Sequence, residues 1–407
     1  MRTKRIIVLM ALSALCVTTA ATQALAADSS SSTSKGDPVT VMALGDFTNP
    51  TAGINTPELE GAVRAVAKRV NKSGGLTDAS GVTHKLVVIG CDGKLDPNTV
   101  ADCAREAVSK KVAAVLGYGG SLADNILPIL SAAGVPLIGA LPNAVSVLTS
   151  PVSFPLVSGG TGAIPGIPFV LQAAGAETQT FTQMDLGGAQ FLGLLANVGG
   201  KNAGVDFKQT TPVPPDQADM SSAAAAATAG NPEGVGFFMV GDGPANFVRA
   251  VRQSGYDGPM AFVSEDVPGV ISQLGKDANG LLITGNTRYL KTTKGGRMFA
   301  ADMKAYDKNL TLSDLSAIYW QAADTFVRVA ETMPTIDTAS TLTAMGQLHD
   351  FDMLGMTPPL TTDVPYAGNT PFPFPRLFNP TVFYYTVKNG KIAEYEKTFT
   401  DPFLPAT

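Results

Sequence analysis

The sequence predicts an α/β protein of two lobes built on parallel sheets covered on both faces. Two observations carry this. From Pro38 onward, short β-branched runs alternate with amphipathic helices, the pattern of strand-helix-strand units. The chain left after an N-terminal export signal, residues 27–407, is also too long for one compact core.

The signal is read from Arg2, Lys4 and Arg5, the apolar run Ile6 to Cys16, and Ala24-Leu25-Ala26 as a small-x-small cleavage site, so that 1–26 is a removed secretory segment. The run is too short to span a membrane. Lipid attachment at Cys16 is disfavoured by Leu15, because a lipoprotein signal needs a small residue there. Loss of three basic residues takes the 29 Lys and Arg to 26 against 34 acids, a net charge of −8. That balance gives no electrostatic case for binding nucleic acid or an anionic membrane. Cys91 and Cys103 are the cysteines that remain; in an oxidising compartment such a pair is expected to form one disulfide, with two buried thiols as the alternative.

Residues 27–37, with the polar run DSSSSTSKGD, read as a flexible lead-in. Four strand-helix repeats follow. Val39 to Leu44 is a strand, and Pro57 to Val70 a helix with Leu59, Val63, Val66 and Val70 on one face, ended through Gly74-Gly75. Lys85 to Ile89 is a strand delivering Cys91 and Asp92 to its carboxyl end, and Asp96-Pro97 opens a helix through Lys110. Ala113 to Leu116 and Val135 to Gly139 are strands on either side of a helix ending near Ala133. Later strands are read at Thr180 to Met184, Val235 to Val240 and Ala261 to Ser264, with helices over Ala223 to Ala227 and Leu315 to Glu331. The Gly, Pro and Ser content of Pro151 to Pro168 suggests an irregular crossover, and the proline-dense stretch Pro358 to Pro375 excludes helix and central strand. Phe383 to Val387 and Ile392 to Phe399 read as a closing hairpin around Asn389-Gly390.

The segments VMALGDFTNPTAGINTPELEGAVRAV, VVIGCDGKLDPNTVADCAREAV, AAVLGYGGSLADNILPILSAAGVPLIGA, VGFFMVGDGPANFVRAVRQSG, AIYWQAADTFVRVAE and VFYYTVKNGKI, in this order, resemble the branched-chain amino acid binding-protein family, the exported solute receptors of ABC importers. The resemblance runs from Pro38 to about Phe399. It implies the bilobed type I periplasmic-binding-protein fold with three crossovers, lobe one holding 38–157 plus 286–376 and lobe two holding 158–285 plus 377–407. It also implies a small polar, amino-acid-like ligand captured between the lobes, a membrane permease as partner, and no cofactor. A sensor module of the same fold, or less readily an exported hydrolase, are the other readings; no Gly-x-Ser-x-Gly elbow occurs, and His84 and His349 lack neighbours at metal-ligand spacing.

Ligand groups in such folds sit at the carboxyl ends of strands. Gly119-Gly120-Ser121 is a glycine-bearing turn before a helix, able to offer N–H groups to a carboxylate, which is the use the family makes of this loop. An ordinary turn with serine as cap is the alternative. Asn143 aligns approximately with a ligand-binding threonine of the family, while Leu141, Pro142 and Ile54 depart from the family pattern. In lobe two, Asp185, Asp242 and the pair Glu265-Asp266 follow strands. The resemblance gives the last pair the role of receiving an ammonium group, which a carboxylate does through charge-assisted bonds; helix caps or turn residues are the alternative for all of these acids.

Overall fold

A computed structural model describes residues 34–50, 54–185, 191–263, 267–368, 370 and 372–406. The expected signal, Cys16 and most of the lead-in lie outside the described residues, as do Glu265 and Asp266. Strands β1 (Ser34–Lys35) and β2 (Val39–Gly45) are followed by a small hairpin of β3 (Thr48–Asn49) and β4 (Ile54–Asn55), then by α1 (Pro57–Lys72). After β5 (Leu76–Thr77) and β6 (Val82–His84) come β7 (Leu86–Asp92), α2 (Pro97–Ser109), β8 (Val115–Tyr118), α3 (Ala123–Ala133), β9 (Leu137–Ala140), α4 (Val145–Thr149) and β10 (Ser153–Phe154).

The first sheet has the order β10-β9-β8-β2-β7, parallel throughout. Strands β2, β8, β9 and β10 are almost wholly buried, as parallel strands covered on both faces must be, whereas the edge strand β7 is only partly covered. Helix α2 starts where the sequence places it, because Asp96 accepts the Thr99 N–H at 2.7 Å and Pro97 fills the first turn. Strand β7 runs three residues further than expected, so Cys91 and Asp92 lie on it, and Cys91 is joined to Cys103 of α2 with the two Cα atoms 5.7 Å apart.

The second half begins with α5 (Gly159–Ala173) and continues through β11 (Thr178–Gln183), α6 (Phe191–Ala203), β12 (Asp206–Gln209), α7 (Ser221–Thr228), β13 (Gly234–Phe238), α8 (Gly243–Gln253), β14 (Met260–Val263), α9 (Val267–Leu274) and β15 (Leu282–Gly285). Helices α10 (Lys294–Tyr306), α11 (Asp314–Ala330) and α12 (Thr338–Met345) follow, and the hairpin β16 (Phe383–Lys388) and β17 (Lys391–Glu394) closes the chain. The second sheet has the order β12-β11-β13-β14-β15-β16-β17, parallel up to β15 and antiparallel beyond.

Two expectations are corrected. From Gly159 the supposed crossover is helix, with Pro165 and Pro168 inside it. Residues 159–171 are buried on every side, so packing overrides poor helix propensity. A methyl group on Gly199 would overlap the Pro165 carbonyl, which shows how closely α6 approaches α5. The last strand ends at Glu394 rather than Phe399, beyond the two-residue Asn389-Gly390 turn whose φ values of 53° and 67° suit a primed hairpin.

Helices α10 and α11 return to pack on α1, and there Arg69 meets Asp302 at 2.8 Å and Asp324 at 2.6 Å, while Trp320 Nε1 donates to Asp302 at 2.8 Å. Trp320 and Tyr319 of α11 are fully buried. Three stretches far apart in the chain meet at Ser158. Ser158 Oγ lies 3.0 Å from the Thr381 carbonyl and 3.3 Å from Asn286 Oδ1. Asp314, buried at the start of α11, accepts the N–H groups of Asn286 at 2.7 Å and Thr287 at 2.9 Å, and burial raises its pKa.

Candidate ligand site at the strand ends

Because β2, β7, β8 and β9 are parallel, their carboxyl ends share one edge. Asp92 ends β7 and accepts the Phe47 N–H at 2.8 Å and the Thr48 and Lys94 N–H groups at 3.2 Å; it also takes the Thr48 hydroxyl. Lys94 and Leu95 both hold left-handed backbone, φ 56° and 55°, which costs energy for residues with a Cβ. The Leu95 N–H is spent on Asp46 Oδ1 at 2.9 Å. Asp46, 9% exposed, also takes the Tyr118 hydroxyl at 3.3 Å, and burial is the main cause of its raised pKa.

Sequence reasoning missed Asp46, although it follows the first core strand as the lobe-two acids follow theirs, so the same rule would have found it. It also gave Tyr118 and Tyr319 no polar role. The Tyr118 hydroxyl accepts the Leu122 N–H at 3.1 Å, and the Tyr319 hydroxyl accepts from Gly119 N at 3.1 Å while donating to the Leu44 carbonyl at 2.9 Å. The Gly119 N–H is therefore engaged within the protein. The N–H groups of Gly120 and Ser121 and the Ser121 hydroxyl make no hydrogen bond to any described residue. Ser121 is not the cap of α3, whose first flanking residue is Leu122 without a side-chain bond. A methyl group at Gly120 would overlap Asp46 Oδ2, so glycine is needed for the turn to pass this carboxylate.

Asn143 is 8% exposed. Its Nδ2 donates to the Gly119 carbonyl at 3.2 Å, and its Oδ1 accepts the Gly160 N–H at 2.9 Å, so the side chain braces the two strand-end loops against the start of α5. Thr161 adds a bond to the Pro142 carbonyl at 2.6 Å.

The parallel strands β11, β13, β14 and β15 likewise bring their carboxyl ends to one edge. Asp185 stands exposed there, its carboxylate without a hydrogen-bond partner among the described residues and its N–H on the Val213 carbonyl at 2.8 Å. Asp242 precedes α8 but does not cap it; its Oδ1 accepts from Gln273 of α9 at 2.8 Å. Glu265 and Asp266 belong to the stretch between β14 and α9 that is not described. His84 bonds the Asp37 carbonyl at 2.7 Å, and exposed His349 pairs with Asp363 at 3.1 Å.

A sequence profile described as periplasmic binding protein matches residues 38–366. No curated protein sequence matches the chain. Solved structures do. An extracellular ligand-binding receptor from Verminephrobacter eiseniae superposes with a TM-score of 0.74 at 19% identity, covering 88% of this chain and 99% of its own. A leucine-binding protein from Thermotoga maritima gives 0.70 at 16% identity, covering 89% and 99%. A fatty acid ABC transporter substrate-binding protein from Thermomonospora curvata gives 0.72 at 15% identity, covering 90% and 92%. At these identities the structures speak for a shared fold.

Proposed function

The chain belongs to the periplasmic binding protein family, and from that premise we propose that it is an exported receptor, not a catalyst, which captures a small amino-acid-like solute between its lobes and hands it to the membrane permease of an ABC importer. Lobe one would comprise 38–157 plus 286–376, and lobe two 158–285 plus 377–407. The observation that carries the reading is the turn at Gly120 and Ser121, where two N–H groups and a hydroxyl stand unspent at the edge of the first sheet. Asp46 lies against this turn. A bare anion would meet its carboxylate, whereas a carboxylate with an ammonium group close by would find a partner for each charge. Asp185, Asp242, Glu265 and Asp266 are the acids that lobe two would add on closure. The named ligands of the similar structures range from leucine to fatty acid, so the ligand class rests on this chain's own residues.

Mass spectrometry of whatever leaves the natively purified protein on unfolding, followed by a thermal-shift screen of amino acids and small amides, tests the reading, since a ligand bound to the folded state raises its stability. With the ligand known, Glu265→Ala and Asp266→Ala are titrated separately. The expected loss for the acid that holds the cation is about 2–5 kcal/mol, roughly 30-fold or more in Kd. Parental affinity in both variants, or a ligand with no basic group, would overturn the amino-acid-like assignment and leave the receptor standing.

A further inference from the structure

A groove of about 530 Å³ is lined by none of the strand-end residues Asp46, Gly120, Ser121, Asn143, Asp185 and Asp242. Ile271 of α9, Tyr289, Leu290 and Lys291 between β15 and α10, Leu312 before α11, and Lys391 of the closing hairpin supply its walls. The volume falls in the range of small-molecule pockets, and the lining is largely apolar.

Its polar groups are unspent. Tyr289 is 5% exposed, and its hydroxyl, which makes no hydrogen bond to any described residue, is not sealed from solvent. The ammonium groups of Lys291 and Lys391 have no ion-pair partner among the described residues. Glu394, on the same strand as Lys391, is taken by Arg288 through two bonds of 2.8 Å and by the Thr292 hydroxyl. No acid is found among the described lining residues. The groove thus combines apolar walls, a phenol donor and two free cations.

We propose that this groove binds a straight-chain aliphatic carboxylate, its tail against Ile271, Leu290 and Leu312 and its head group toward Lys291, Lys391 and the Tyr289 hydroxyl. A longer chain gains affinity from added apolar contact, and the carboxylate gains charge-assisted bonds that an alcohol cannot make in full.

The test uses the full chain and decanoate below its micelle concentration, titrated calorimetrically, with decanol as the uncharged control and hydrogen exchange to locate the contact. Expected are saturable binding of decanoate, weaker binding of decanol, and slowed exchange in 267–274, 286–291 and 390–394. The exposed pair Lys291→Gln with Lys391→Gln, which leaves the melting temperature unchanged, weakens decanoate by about tenfold or more, and Tyr289→Phe weakens it by a smaller factor. Absence of saturable binding, equal affinity in the double variant, or protection confined to 119–143 would overturn the proposal, the last by sending the acid to the strand-end site.

Discussion

At the first sheet the loops leaving β2, β7, β8 and β9 are bound to one another, from Asp92 through Asp46 and Tyr118 to Gly119 and Asn143, whereas at the second sheet Asp185 stands exposed and Asp242 is held by Gln273. The disulfide from β7 to α2 adds a covalent tie on the first side. A surface already ordered loses little freedom when a ligand settles on it. Exposed acids instead stay hydrated until something covers them. The contrast favours, for the receptor we propose, docking on lobe one first and engagement of lobe two on closure.

The largest effect that could break this contrast is removal of the disulfide. Cys91→Ala with Cys103→Ala is expected to cost about 3 kcal/mol in urea unfolding; a loss below about 1 kcal/mol would mean that the lobe-one rim does not depend on it. Next is Tyr118→Phe, which takes a donor from Asp46 and an acceptor from the Leu122 N–H, with about 1–2 kcal/mol of stability expected to go. An unchanged urea midpoint would show that these bonds do not tie the loops.

A pH series sharpens the contrast further. Burial holds the Asp46 carboxyl above its usual range, so the folded chain binds that proton more tightly than the unfolded chain. Its contribution is fully present below the ordinary value of 3.8 and is lost as pH rises through the raised folded value. Asp302, Asp314, Glu396 and Asp401 are raised as well, which makes the difference between proteins the useful quantity. Stability of Asp46→Asn should fall less than that of the parent as pH rises above the ordinary value of 3.8; parallel curves would show that Asp46 ionises without cost. The smallest effect belongs to lobe two: Asp185→Ala and Asp242→Ala should each stay within about 0.5 kcal/mol of the parent, and a larger loss in either would place that acid in the framework of the lobe.

Much of this was readable in local pattern. Four of the five strands of the first sheet, the Asp96-Pro97 helix start and the Asn389-Gly390 turn each rest on neighbours in sequence, and the structure has them; β10 was not foreseen. The paired cysteines were readable from composition alone. What escaped depends on distant partners. Tyr118 and Asp46 are 72 residues apart, and Gly119 and Tyr319 are 200 apart, so no periodicity can announce them. The glycines and prolines of 159–168 misled for a related reason: they are poor helix formers in isolation, and the surrounding sheet and α6 impose the helix. The bonds of Asn143 to Gly119 and Gly160, 24 and 17 residues away, were likewise not legible in its own loop.

The position of α11 in the chain has a consequence in time. The first sheet is complete in sequence at Phe154, yet Tyr319, which packs against Gly45 and Gly117 of its strands, is encoded after every parallel strand of the second sheet. The bond from Tyr319 to Leu44 closes over 275 residues. A chain emerging amino terminus first therefore cannot finish lobe one until nearly all of it has been made, and pairings this remote form slowly. A protein that must cross a membrane as an unfolded thread, as the proposed export requires, gains from that delay, because its first lobe stays open to threading while the last of its helices is still being synthesised.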